Sequence, residues 1–567
     1  MNPRNPSFQP SPETPSAHTL ADTHTVENQS YALEDYNLYL ADVALQEAVK
    51  REGAAASHMD LTAFGQLTGS AQVIQWGFQA NKVKPEFRSH DRFGRRVDLI
   101  EFHPAYHKLM ETAIVNGIHS IPWCDPRPGS NVYRAALFYL QSQVEAGHGC
   151  PITMTFASIP TIRKQASIAS VWEPLITSRH YDPRNVPVAE KSGVTIGMAM
   201  TEKQGGSDVR ANTTRAYPVG QWGAGEIYEL VGHKYFVSAP MCDAFLVLAQ
   251  AEGGISCFLV PRWRPDGSKN PLQIQQLKNK MGNVSNASSE TELRGAMGWL
   301  IGDEGRGIAN ILEMVALTRF DCMIGSSSGM RQAMAQILHH CSQRKAFGKL
   351  LTDQPLMQNV LADLAIESEA AMALTLRMAR ALDNPEDEHE KLVARIGTAI
   401  GKYWICKRTP GHAYEAMECI GGSAVMEDSI MPRLYREAPV NAIWEGSGNV
   451  QCLDMLRAMS RTPGSLEALF AEIDEAKGLH PAFDRFVSTT KNLFADLSDV
   501  EFQARVLVEH LALSLQASVL LRADNAAVAD AFCATRLQSG SHHMYGTMPK
   551  GVDCQSIIQR AQPQVGV

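Results

Sequence analysis

The sequence predicts a mainly α-helical protein with a small antiparallel β domain at its centre. Three observations carry this. Apolar residues recur at helical spacing over most of the 567 residues. Between about Gly193 and Gly302 the texture changes to short β-branched runs separated by turn formers. Long helical stripes then return and continue past a Thr462-Pro463-Gly464 break. A chain of this length exceeds one ordinary core, so several domains are expected.

Residues 1–25 are rich in Pro, Ser, Thr and His and have no apolar stretch, so they read as a disordered tail and not as a signal peptide. Residues 26–190 read as an N-terminal helical domain. Its clearest helix is Tyr133–Val144, where Ala136, Leu140 and Val144 share a face. Residues 191–302 form the β domain. Its strand candidates are Val194–Ala199, Ile227–Val231, Tyr235–Val237, Phe245–Ala249 and Ile255–Val260, with turns at Glu252-Gly253-Gly254 and Pro265-Asp266-Gly267. Residues 303–460 read as a helical bundle. Ile308, Ile311, Leu312 and Val315 open a helix reaching to about Ser342, Leu356, Val360, Leu361 and Leu364 mark a second, and Glu388 to Cys419 is a third. Residues 461–567 are a helical extension in which Ala504, Leu507, Leu511 and Leu515 share a face. No run of about 18 apolar residues is found, so no membrane span is expected.

Hydrophobic residues make up 44% and charged residues 20%, with a net charge of −8. A general polyanion binder would show a basic domain or stripe, and this balance argues against one. The eleven cysteines include no CxxC pair. Cys124, Cys242, Cys322 and Cys406 stand in apolar surroundings, which predicts buried thiols in a reducing, cytoplasmic protein.

Four segments carry chemistry. Met198-Ala-Met-Thr201-Glu-Lys-Gln-Gly205-Gly206-Ser207-Asp208 follows a strand. Its glycines let backbone N–H groups approach an anion, and its hydroxyls can hydrogen-bond a ring edge or a phosphate; alone, it also fits a plain Gly-rich turn. Lys234-Tyr235-Phe236-Val237-Ser238 offers a flat face and one hydroxyl, and alone it also fits a core strand. Arg344-Lys345-Ala346-Phe347-Gly348-Lys349 puts a guanidinium fork just past a long helix. In Ile443-Trp444-Glu445-Gly446-Ser447-Gly448-Asn449 an acid stands between a tryptophan and a glycine turn. Burial beside an aromatic raises a carboxyl pKa and makes a better base near neutrality.

In this order and spacing the four segments resemble the acyl-CoA dehydrogenase superfamily over nearly the whole chain after the tail. The strings Met200–Asp208, Pro432–Arg436 and Ile443–Asn449 resemble its AidB branch, the flavoproteins of the adaptive response to alkylation. The resemblance implies an FAD held without the dinucleotide fingerprint GxGxxG, which the chain lacks. It places Thr201 at the pyrimidine edge, Ser207 near the pyrophosphate, Ser238 near flavin N5 and Phe236 beside the ring. Met198, Gly205, Gly206, Val237, Ile443, Trp444, Gly446, Ser447, Gly448 and Asn449 are implied around the same cofactor. Arg344, Phe347, Gly421 and Gly422 match residues that reach the FAD of a neighbouring subunit, which implies a homo-oligomer, a tetramer by analogy. Glu445 matches the base that removes an acyl-CoA α-proton, and Arg319 matches a substrate-side residue. The acid of the family's Asp-x-Thr-Arg stretch is replaced by Ala316, and Trp444 stands where many relatives have tyrosine.

The AidB branch also implies duplex DNA as a partner, with Arg457 and Arg536 as candidate contacts. Linear composition opposes this: from Arg461 onward nine Lys and Arg face twelve Asp and Glu, a net charge of −3. Gly325-Ser-Ser327-Ser-Gly329 matches GxSxG but falls inside a predicted helix, so it reads as small-residue packing. His339-His340, His542-His543 and His389-Glu390 lack a ligand set, and no metal is expected.

Overall fold

The computed structural model describes residues 24–538 and 544–565. The tail expected over residues 1–25 falls outside them up to residue 23, as do His542 and His543. The first unit contains helices α1 (Val43–Arg51), α2 (His58–Thr68), α3 (Ala71–Lys82), α4 (Pro104–Val115), α5 (Ile121–Cys124), α6 (Ser130–Val144), α7 (Gly149–Ile162) and α8 (Ala166–Ile176). Local chemistry sets several starts. Asp42 caps α1 by accepting from Leu45 N–H, Ser70 caps α3 by accepting from Val73 N–H, and Pro104 opens α4 at a position that needs no amide donor. A hairpin of β1 (Glu86–His90) and β2 (Arg96–Glu101) interrupts these helices. It was absent from the expected helical domain because its charged strands bury little and show no apolar alternation.

The central sheet holds β3 (Ile196–Ala199), β4 (Arg215–Pro218), β5 (Ile227–Ser238), β6 (Ala244–Ala251), β7 (Gly254–Pro261), β8 (Leu272–Leu277) and β9 (Ser288–Ile301), in the order β3-β5-β4-β6-β7-β9-β8. Most neighbours are antiparallel, but β3 also runs parallel to β6 from Ile196↔Ala244 to Ala199↔Val247. The two expected strands Ile227–Val231 and Tyr235–Val237 are one strand, β5. Register shifts at Leu230/Val231 and Lys234/Val237 let it bend without ending. A buried ion pair joins two of the singled-out segments: Lys234 Nζ lies 2.8 Å from Glu202 Oε1 and donates to Leu248 O at 2.7 Å. Glu202 also accepts from the backbone of Thr213 and Thr214. The Gly-rich segment is therefore clamped at Glu202.

The bundle is built on α9 (Gly307–Cys341), followed by a two-residue hairpin of β10 (Lys345–Ala346) and β11 (Lys349–Leu350), then α10 (Pro355–Asp383) and α11 (Glu388–Ile420). Short helices α12 (Met431–Glu437) and α13 (Val440–Ile443) lead into α14 (Gly448–Arg461). The extension adds α15 (Ser465–Asp474), α16 (Pro481–Leu493), α17 (Val500–Leu521), α18 (Ala526–Arg536) and α19 (Cys554–Ala561). The Ser327 hydroxyl donates back to Met323 O and Ile324 O inside α9, so the GxSxG match is helix packing. Among the described residues one helix, α17, is long and apolar enough to cross a bilayer by length and composition alone, and 72% of its apolar window is buried inside the protein, as in a core helix. One core unites the first helical unit with the bundle and extension, and a second fills the sheet beneath α7 and α8.

Candidate active site

Glu445 sits in the four-residue bend between α13 and α14, and the backbone there is unusual. Its φ is +56° and that of Gly446 is +97°. A left-handed non-glycine residue costs free energy and persists only where its surroundings hold it. Here they do. Lys402 of α11, 1% exposed, donates to Trp444 O at 2.8 Å and Gly446 O at 2.7 Å. Arg319 Nε donates to Glu445 O at 2.9 Å, and Gln451 Nε2 donates to Glu445 O and Gly446 O. Three side chains from three helices thus fix the peptide groups that aim the carboxyl.

The carboxyl itself meets Thr318: Oγ1 lies 2.7 Å from Glu445 Oε2 and 3.0 Å from Val315 O. One hydroxyl proton serves two acceptors in turn. Thr318 donates to an ionised Glu445, and when Glu445 carries a proton it donates to Thr318, which turns to Val315 O. Burial raises the Glu445 pKa above the ordinary carboxylate range, and Thr318, Lys402 and Arg319 oppose that rise. Trp444 lies on the cavity wall with its indole N–H donating to Asn441 Oδ1 at 2.8 Å.

Glu445 faces a cavity of about 1000 Å³, counting its open mouth. Its wall is mostly apolar, with Phe138, Met154, Cys322, Leu434 and Ala438, and Ser238 lies on the same wall as Glu445 and Trp444. Met198 pairs with Ser238 across β3 and β5, so segments forty positions apart in sequence meet at this edge. Open space stands where a Cβ would lie on Gly205, Gly421 and Gly422. Gly206 faces the Thr201 side chain at 2.9 Å from that point. Phe236 and Ile443 are exposed, and Phe347 is 100% exposed at a φ of +51°. Ser447 precedes α14 without bonding its first amides, which leaves those donors free. Uncovered apolar faces, hydroxyls at Thr201, Ser207 and Ser238, and unfilled space beside glycines fit a flat, polar-edged cofactor bearing phosphates.

Several expected contacts turn out otherwise. Arg319, matched to the substrate side, is bonded within the protein. Besides Glu445 O, it holds Asp454 at 3.0 Å, and Asp454 is held again by Arg395; it is a positioning residue. Val237 is buried in the sheet, so only its backbone faces outward. Asn449 Oδ1 accepts from both Nε and Nη2 of Arg505. Arg344 donates to Asn28 O at 2.5 Å, tied to the N-terminal arm. Arg536 is committed to Asp363 at 2.5 Å and Glu367 at 3.0 Å, so its charge is neutralised internally, while Arg457 is exposed. Cys124 is exposed, in contrast to buried Cys242, Cys322 and Cys406. His339 and His340 bond to Tyr31 O and Ser30 Oγ, and His389 to Glu472. Among the described residues no group of three His, Cys, Asp or Glu side chains could hold a metal. Lys402 and Gln451 escaped the sequence reading. A lysine on the inner face of a helix otherwise apolar there was the available signal for Lys402.

This fold and site define a flavin-dependent oxidoreductase, and the chain belongs to the acyl-CoA dehydrogenase family with FAD as its cofactor. It is similar to the putative acyl-CoA dehydrogenase AidB of Escherichia coli strain K12, at 48% identity over 468 residues covering 82% of this chain and 86% of that protein. The adaptive response protein AidB N-terminal domain matches residues 28–183. The acyl-CoA dehydrogenase middle and C-terminal domains match residues 197–296 and 305–460. Acyl-CoA dehydrogenase family member 11 of Caenorhabditis elegans is 30% identical over 552 residues, covering 93% of this chain and 86% of that one. The crystal structure of Caenorhabditis elegans ACDH-11 in complex with C11-CoA superposes with a TM-score of 0.82 at 25% identity, covering 98% of this chain and 96% of that one.

Proposed function

We propose that this protein desaturates the α,β carbon–carbon bond of an acyl-CoA thioester. The observation that carries the reading is one cavity wall bearing both Glu445, a desolvated carboxyl, and Ser238, the hydroxyl matched to the flavin edge. Glu445 takes the α-proton. FAD supplies the acceptor for the hydride that leaves the β-carbon with the second electron pair. Thr318 stabilises the ionised base before transfer and accepts its proton's hydrogen bond afterwards, while Lys402, Arg319 and Gln451 keep the carboxyl aimed. The apolar wall excludes water and strengthens each of these interactions. The ACDH-11 complex with C11-CoA supports the choice of substrate class.

Anaerobic titration of the FAD-loaded protein with acyl-CoAs of graded length should bleach the oxidised flavin. Glu445→Gln should keep FAD and lose about 10²- to 10⁴-fold of the reduction rate. Reduction at an unchanged rate in that variant removes Glu445 from the base role. Fully exposed Phe347, together with the open space at Gly421 and Gly422, supports a homo-oligomer, read as a tetramer, in which these residues meet a neighbour. Free thiols at the described cysteines suit a cytoplasmic setting. Duplex DNA binding is the second reading. It keeps exposed Arg457 and loses Arg536 to internal carboxylates. A gel shift in ~50 mM salt that fades steeply with added salt would support it, and no shift would end it.

A further inference from the structure

The cavity that holds Glu445 has a second polar station that desaturation leaves unused. Glu437, the last residue of α12, lines it, and so does Gln143 near the end of α6. Both Glu437 oxygens accept from the single N–H of Asn283, at 2.7 and 2.8 Å, and among the described residues no cation lies within ion-pair distance of it. One donor leaves most acceptor positions of a carboxylate unfilled. Gln143 is 2% exposed and its Nε2 has no hydrogen-bond partner. A buried amide donor without an acceptor is costly and marks a place where an oxygen belongs.

Both residues line this one cavity. Arg433 of α12 donates to Val144 O, next to Gln143, at 2.9 Å, and Glu145 acts on Glu437 electrostatically. Burial and Glu145 push Glu437 up to about 7, against the backbone of Asn283, Arg433 and Lys280. Near neutrality it is both donor and acceptor. Glu445 meets the Thr318 hydroxyl whereas Glu437 meets the Asn283 amide, so the two carboxyls have separate hydrogen-bond stations.

We propose that Gln143 and Glu437 form a subsite selecting acyl groups that carry a hydroxyl beyond the reacting carbons. A hydroxyl accepts from the Gln143 amide and donates to Glu437. An alkyl chain satisfies neither, and a carboxylate repels the second. This rests on the reading of the cavity as an acyl-CoA site.

The test uses full-length, FAD-loaded protein and follows flavin absorbance on adding acyl-CoAs of one chain length. One is unsubstituted, and the others carry a hydroxyl moved outward from the γ-carbon. One hydroxylated isomer should bind about five- to tenfold tighter than the alkyl compound. Gln143→Leu and Glu437→Leu should bring that ratio near one, and Glu437→Gln, which still donates and accepts, should keep it. If Glu437→Leu does not fold, Gln143→Leu decides alone. Alkyl and hydroxylated chains binding equally well overturn the subsite and leave the dehydrogenase reading standing, as does a preference that survives Gln143→Leu. If no acyl-CoA of either kind perturbs the flavin, both readings fall.

Discussion

Thr318→Val removes the one hydroxyl that touches Glu445 and keeps the side-chain volume. Its consequence follows from the two acceptors of that hydroxyl. A hydrogen bond to an ionised carboxylate contributes about 1.5–3 kcal/mol, against about 0.5–1.5 for the neutral arrangement that replaces it on protonation. The difference is about 1–1.5 kcal/mol in favour of the ionised form. At 1.36 kcal/mol per pKa unit, that is about one unit. Thr318 therefore lowers a pKa that burial has raised, and its loss raises it further. A base acts in its deprotonated form, so the rate of flavin reduction by bound acyl-CoA rises with pH through this pKa. In the variant the acid limb should move about one unit toward higher pH. On the limb the rate falls about tenfold at fixed pH, and it recovers at alkaline plateau. Stopped-flow measurement of flavin bleaching across pH gives the profile. An unshifted limb, or a uniformly lower rate at every pH, refutes the argument.

Arg319→Gln should loosen the Glu445 turn and lower kcat by about tenfold or more, while acyl-CoA affinity measured by flavin perturbation stays within about twofold. Weakened affinity with kcat kept would return Arg319 to the substrate. Arg134→Met should destabilise the fold by about 3–5 kcal/mol, because Arg134 pairs through two hydrogen bonds, at 2.7 and 2.6 Å, with Asp321, which it would strand in the cavity wall. Denaturation midpoints check this, and an unchanged midpoint contradicts the buried-pair assignment. Gly446→Ala combines a φ of +97° with a Cβ placed 2.7 Å from Gln451 Nε2 and 2.9 Å from Val450 Cγ1. The Glu445-dependent rate should drop even where FAD content, read from absorbance ratios, is normal.

Long-period features were legible in the sequence. The α9 and α11 stripes run for nine turns each, so their bounds emerge within a residue or two of the expected ones. The β5 break was misplaced because a bulge and a turn leave the same local mark, a glycine among β-branched residues. The charged β1–β2 hairpin left no apolar rhythm to read. At the site, the carboxyl and its glycine turn announce themselves by chemistry that is odd for a surface. The partners of Arg319 and Arg536 were hidden because a sequence shows a cation but not its counter-ion. Asp454 lies 135 positions from Arg319, and Asp363 lies 173 positions from Arg536. Lys402 could be marked as an inward lysine, but its partners could not, since they are carbonyls of a bend that only the fold brings near.

Helix α9 joins two ends of the chemistry. Thr318, near its start, tunes the base, and its far end delivers Arg344 and Phe347, about 35 Å away at 1.5 Å per residue. Wherever those two residues rest on another copy of the chain, a single unbroken rod spans from the proton-transfer centre of one subunit to the surface of the next. A rod transmits displacement with little loss. A shift of α9 that re-aims Thr318 would then also displace Arg344 and Phe347 where they meet the neighbour, through one piece of backbone.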